Sequence, residues 1–291
     1  MLARTLLQCL FCTVLAATAS WSSTLDREIN ALIEASGAEV AVALRTLDGR
    51  QELLVSEDLV LHAASTMKVP VMIELFRQAE AGELGLDDTM LVSTTFKSIV
   101  DGSPYELTAD EDSDGQVYAL LGTQASLRLL NEAMITKSSN LATNLLIERL
   151  GAEKVRKTVT DLGGEGMLVL RGVEDIKAFE AGQSNRTTAR ALLVLMEAIA
   201  RREAVSPAAS KAMIDVLTRQ QFRDGIPAGL PPNTRVAHKT GQITEIHHDA
   251  AIVLAERPYV LVVLTRGLAD GSESAQLIAD IARVVHEATQ P

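Results

Sequence analysis

Apolar residues recur along this chain with two different periods, and the switches between them mark out its elements. From Thr24 to Ala35 they form a helical stripe of Leu25, Ile29, Leu32 and Ile33, with Ser23 or Thr24 available as the cap. Val40 to Leu44 and Gln51 to Val55 then read as strands around Asp48-Gly49, a pair that favours a hairpin turn. A helical pattern opens at Ser65, runs through Ala81 and stops at Gly82.

The middle, from about Leu84 to Ala204, is mostly helical with irregular connections. Its predicted helices are Ala125 to Ile135, Asn140 to Leu150, Ala152 to Leu162 and Thr187 to Arg201. A further helix follows Ser206. Short runs rich in Val, Ile and Leu then return at Thr234 to Lys239, Asp249 to Ala255 and Tyr259 to Thr265, with Glu256-Arg257-Pro258 turning the chain between the last two. A final helix starting near Ser272 puts Leu277, Ile281, Val284 and Val285 on one face.

Strands at both ends and helices between them predict an α/β (α+β) fold. One antiparallel sheet is assembled from distant segments and flanked by helices, with an all-helical subdomain inserted. The sheet part would take about 24–83 and 205–291, and the helical part about 84–204.

The first residues follow another pattern. Met1-Leu2-Ala3-Arg4 gives a positive start, Leu6 to Ala16 is almost continuously apolar, and Ala17-Thr18-Ala19 supplies a small-x-small site. The apolar run is shorter than the ~20 residues that span a bilayer. Residues 1–19 are therefore expected to be a signal peptide cleaved after Ala19, leaving a secreted or periplasmic chain, 20–291, with no stable membrane anchor. Both cysteines, Cys9 and Cys12, fall in that leader, so the mature chain would have neither disulfides nor thiol chemistry.

Composition narrows the partners. With 291 residues, 47% hydrophobic and 22% charged, the chain is long enough and apolar enough for one large folded unit. A net charge of −11 leaves no basic field for nucleic acid and favours a small-molecule substrate met by a few local cations.

Candidate chemistry begins at Ser65-Thr66-Met67-Lys68. Serine and lysine at i and i+3 of a helix start share a face, and free N–H groups there meet developing negative charge. A serine hydroxyl needs a base to become a nucleophile, and a lysine serves if burial or positive neighbours lower its pKa. Alone, Ser-x-x-Lys is expected about once in such a chain by chance. Two further motifs accompany it: Ser138-Ser139-Asn140 where a helix restarts, and Lys239-Thr240-Gly241 at the end of a strand pattern, spaced by 73 and 101 residues.

In that order the three motifs resemble the signature of serine β-lactamases and penicillin-binding proteins, and Ile135 to Leu146 looks especially like the class A enzymes. The likeness spans nearly all of the expected mature chain. It implies a serine β-lactamase-like fold and an acyl-enzyme on Ser65, with Lys68 accepting or relaying the proton and Ser138 passing it to the departing nitrogen. It further implies that Asn140 binds the substrate amide and that Lys239 and Thr240 bind its carboxylate. Gly241 would allow close approach of the strand edge, and the backbone N–H groups of Ser65 and Gln242 would form the oxyanion hole. No cofactor or metal is called for, and a monomer is expected.

This sequence departs from the resemblance at two places. Ser139 stands where class A enzymes usually carry aspartate. Their water-holding Glu-x-x-Leu-Asn corresponds to Glu174 followed by Lys177 and Ala178, and Asn185-Arg186 replaces the acid expected before Thr187. Glu174 is the candidate deacylating base. If it does not serve, a penicillin-binding D,D-peptidase or esterase-type hydrolase is the alternative, with a non-turnover acyl-accepting sensor more remote.

Two lesser clusters have plainer expectations. Asp110-Glu111-Asp112-Ser113-Asp114-Gly115 imitates the start of a calcium loop but has Leu121 at position twelve, and reads as an acidic surface loop. His247-His248 beside Glu245 would point to opposite faces of an extended segment, which favours a solvent-exposed or substrate-edge role over a metal site. Tyr105 is a candidate for lining the cleft or packing within its loop.

Overall fold

The computed structural model describes residues 23–291. The expected leader, with its cleavage site and both cysteines, lies outside the described residues.

The chain begins with α1, residues 23–36, and the hairpin of β1 (Glu39–Thr46) and β2 (Glu52–Val55). The 3-10 turn Ala64–Met67 leads into α2 (Lys68–Glu80), and α3 (Leu127–Thr136), α4 (Asn140–Leu150) and α5 (Ala152–Asp161) follow. Next come the short α6 (Ile176–Glu180), α7 (Ala189–Ala200) and α8 (Pro207–Leu217). The strands β3 (Arg235–Ile243), β4 (Ile246–Leu254) and β5 (Tyr259–Arg266) precede α9 (Gly271–Thr289). The five strands form one antiparallel sheet in the order β2-β1-β5-β4-β3. Two-stranded pairings such as Thr89–Leu91 with Gln124–Ser126 lie within the helical stretch.

Period-two alternation sorts the sheet residues between two cores. Val40, Val42, Leu44, Leu261 and Val263 face α1 and α9, meeting Leu25, Ile29, Ile278 and Ile281. Ala41, Ala43, Ala250, Val260 and Val262 join the opposite core, where small residues let α7 lie across β5, β1 and β4 with Leu192, Leu195 and Met196. That second core continues through α2, which packs on α5, α4 and α3. The helix carrying the Ser65 motif is thus gripped by the helical layer, while the turn before it touches β3 and β4.

The main difference from the sequence expectation concerns β3. Lys239-Thr240-Gly241 lies inside the strand, not at its end, because β4 starts at Ile246 and its register pairs His248 with Gly241 and Ile246 with Ile243. The tight turn between them uses Glu245 at φ 56°, without the Asn-Gly or Asp-Gly pair that announces such turns in sequence. β3 is an edge strand, so one side of its backbone is left without a neighbouring strand beside Ser65.

Candidate active site

The turn that carries Ser65 is held in a costly conformation. Ala64, just before Ser65, has φ 44°, a left-handed value that favours glycine and costs about 1–3 kcal/mol for other residues. Its N–H donates to His62 Nδ1 at 3.0 Å, and the Ala63 N–H donates to the Asn185 carbonyl at 2.9 Å. His248 fixes His62 in turn, with His248 Nε2 2.9 Å from the His62 carbonyl. From the other side β3 closes in: a Cβ at Gly241 would lie 2.9 Å from Ser65 N and 3.0 Å from Thr66 N. Glycine at 241 therefore permits the close approach of the strand to the turn that carries Ser65.

Lys68 starts α2 and is completely buried. Its Nζ donates to the Ser138 carbonyl (2.6 Å), Ser138 Oγ (3.2 Å) and Asn140 Oδ1 (2.9 Å), matching three donors with three acceptors. Burial pushes its pKa down to about 7, against the opposing pull of Asp112 and Glu174. Lys239, also fully buried, reaches the same hydroxyl, with Nζ 3.0 Å from Ser138 Oγ. Burial, then the neighbouring charge of Lys68, lowers its pKa, and Asp249 opposes both.

Ser138 itself sits at φ 60° in the turn between α3 and α4. Ser139 caps α4, its Oγ accepting from the Ala142 N–H at 3.2 Å. Asn140 is the first residue of that helix, and its Nδ2 donates to Glu174 Oε1 at 3.3 Å. One side-chain amide thus joins Lys68 to Glu174. Glu174 is half-buried at φ 61°, and burial raises its pKa, with Glu111 adding to the effect and Arg171 opposing it.

The loop carrying Glu174 is tied down by two asparagines. Asn144 on α4 accepts from the Val173 N–H (2.7 Å) and donates to the Val173 carbonyl (3.0 Å) and Tyr105 Oη (3.2 Å). Asn185 accepts from the N–H of Leu170 (2.8 Å) and of Arg171 (3.3 Å), and donates to the Arg171 carbonyl (3.0 Å). An amide therefore does at 185 what an acid alone could not, since it both accepts and donates. Asp175 caps α6 and holds Ser98 Oγ and the Ile99 N–H. Lys177 turns outward to Asp101 and Ser103, and Ala178 is buried without a polar side chain to offer.

All nine residues singled out in the sequence come together. Ser65, Ser138, Asn140, Thr240, Gly241 and Gln242 line one cavity of about 300 Å³. Glu174 lines a second, of about 380 Å³, with Ser65, Asn140 and Gln242 common to both. Lys68 and Lys239 lie buried against Ser138.

Two expectations need correction. The acidic segment is no mere surface loop: Asp112 and Ser113 bond into the Ser138 turn, Asp114 is buried, and Glu111 lines both cavities. His247 and His248 are both buried rather than exposed, because β4 is an inner strand covered on its two faces. His247 still lines the smaller cavity, with Nδ1 3.0 Å from Ser274 Oγ, whereas burial drives His248 down to about 4. Tyr105 both packs and lines a side cavity with Glu174. Sequence patterning assigned no structural partner to Asp112, Asn144 or His248, since those partners are remote in the chain.

A family model described as the beta-lactamase enzyme family matches residues 24–289. A beta-lactamase of Streptomyces albus G is 27% identical over 273 residues, covering 91% of this chain and 84% of that protein. The crystal structure of a beta-lactamase from Sphaerobacter thermophilus is 26% identical, with a TM-score of 0.77 over 92% of this chain and 97% of its own. The structure of PBP-A is likewise 26% identical, with a TM-score of 0.75 over 90% of this chain and 95% of its own. A point variant of PBP-A has been solved as an acyl-enzyme complex with penicillin G.

Proposed function

Since the chain belongs to the beta-lactamase enzyme family, we propose that it opens the β-lactam amide by acylating Ser65 and then releases the acyl group to water. Ser65 Oγ attacks the carbonyl carbon, the C–N bond breaks, and the hydroxyl proton passes through Lys68 and Ser138 to the departing nitrogen. The observation that carries this reading is the meeting of Lys68 and Lys239 at Ser138 Oγ, beside the cavity that Ser65 lines. A lysine with a pKa of about 7 is substantially neutral at physiological pH, and only the neutral amine can accept a proton.

The backbone N–H groups of Ser65 and Gln242 form the oxyanion hole, and Asn140 binds the amide side chain of the substrate. Lys239 and Thr240 receive the substrate carboxylate. Glu174 then activates the hydrolytic water; it lines the cavity of Ser65 and is joined to Lys68 through Asn140. The enzyme works outside the cytoplasm as a monomer on small β-lactams, after loss of the leader.

Ala178 favours a second reading. With no polar side chain there, the water beside Glu174 has one holder fewer, and slow release would make the protein a penicillin-binding peptidase or esterase-type hydrolase. A chromogenic cephalosporin separates the two. Hydrolysis that continues beyond one equivalent and disappears in Ser65→Ala supports turnover, whereas a single stoichiometric burst supports the second reading.

A further inference from the structure

We propose that Asp112, assisted by Ser113, is a positioning residue for acylation: it fixes the Ser138–Asn140 turn and supplies the negative charge that Lys68 faces. The inference rests on the reading of Ser65 as nucleophile given above.

The contacts are specific. Asp112 Oδ1 accepts from the Asn140 N–H at 2.9 Å, and Oδ2 accepts from the Leu141 N–H at 2.8 Å. Those are the first two amides of α4, which have no acceptor within the helix and favour an anion. Ser139 Oγ also lies 3.4 Å from Oδ2. The adjacent Ser113 Oγ donates to the carbonyls of Lys137 (2.7 Å) and Ser138 (3.1 Å). Ser138 is thus gripped on both peptide groups that flank its left-handed backbone, a conformation that persists only where its surroundings enforce it.

Ser138 and Asn140, whose backbone Asp112 and Ser113 hold, are both bonded through their side chains to Lys68 Nζ. Displacing Ser138 or Asn140 would therefore misplace the proton path and the amide contact together. The charged groups around Lys68 are Asp112 from the acidic loop, Glu174 from the loop before α6, and Lys239 on β3. Asp112 is the larger of the two anionic influences that keep Lys68 protonated.

The test uses Asp112→Asn, Ser113→Ala, Ser139→Asp and the double variant Asp112→Asn/Ser139→Asp. In Asp112→Asn the acylation rate constant should fall about ten- to hundredfold, the scale of misplacement in a preorganised site. Ser113→Ala should fall less and keep the wild-type pH dependence. Removing the anion should also shift the acidic limb of acylation, and the NMR titration of Lys68 in the free protein, to lower pH.

Ser139→Asp puts a carboxylate beside Asp112. It should slow acylation in the wild-type background but restore rate and titration in Asp112→Asn. Wild-type acylation and Lys68 titration in Asp112→Asn would overturn the proposal. A lower rate with an unmoved limb and no recovery in the double variant would likewise reduce Asp112 to scaffolding. The NMR titration needs no substrate, so it still decides the matter if Ser65 proves unreactive, a result that would instead contradict the proposed function.

Discussion

Gly241 and Ser65 are pressed together backbone to backbone: a methyl group on residue 241 would sit 2.9 Å from the nitrogen of residue 65. Neither backbone can yield cheaply, because one is an edge strand locked to β4 and the other a strained turn held by His62. Gly241→Ala should therefore destabilise the protein by about 1–3 kcal/mol, as overpacking does. It should also lower acylation of Ser65 more than it lowers melting temperature. Denaturant melts and stopped-flow acylation measure the two effects separately.

The acid side of catalysis should follow Lys68. Its ammonium form cannot accept the Ser65 proton, so kcat/KM should rise with pH through about 7. A profile flat through neutral pH would contradict Lys68 as base.

Glu174 carries a cost in the folded state. Burial raises its pKa, so the ionised form disfavours folding above that pKa, and the penalty vanishes at low pH where both states are protonated. Glu174→Gln should thus melt at higher temperature than wild type at neutral pH, with the difference closing as pH falls. Thermal melts across pH check the sign.

Asn144 makes a different prediction, about geometry alone. Asn144→Ala would leave the N–H of Val173 without its partner, at about 1–3 kcal/mol for a buried donor, while the Val173 carbonyl keeps Tyr105 Oη at 3.3 Å. Because Val173 precedes Glu174, release of the acyl group should suffer more than its formation. Separate measurement of the two steps with a slow penicillin tests this.

Local patterns made much of this legible. Asn140–Leu150 is found with its predicted bounds, because a good cap and a helical stripe coincide there. The hairpin at Asp48-Gly49 also matches, with Gly49 at φ 70°. What escaped depends on distance in sequence. The continuation of β3 through Gln242 and Ile243 rests on pairing with β4, and buried His247, His248 and Asp249 break the apolar signature of a strand. Asp112 looks like any surface acid until α4, 28 residues on, presents its free amides to it.

The most direct measurement is an intact-mass time course of the protein mixed with a penicillin, run on wild type, Ser65→Ala and Glu174→Gln. Wild type should gain the mass of the opened penicillin and lose it again as substrate is exhausted. Glu174→Gln should gain the same mass and keep it, and Ser65→Ala should gain none. A wild-type protein that neither carries the adduct nor consumes the penicillin, or that holds the adduct as long as Glu174→Gln does, would contradict acylation at Ser65 followed by release through Glu174.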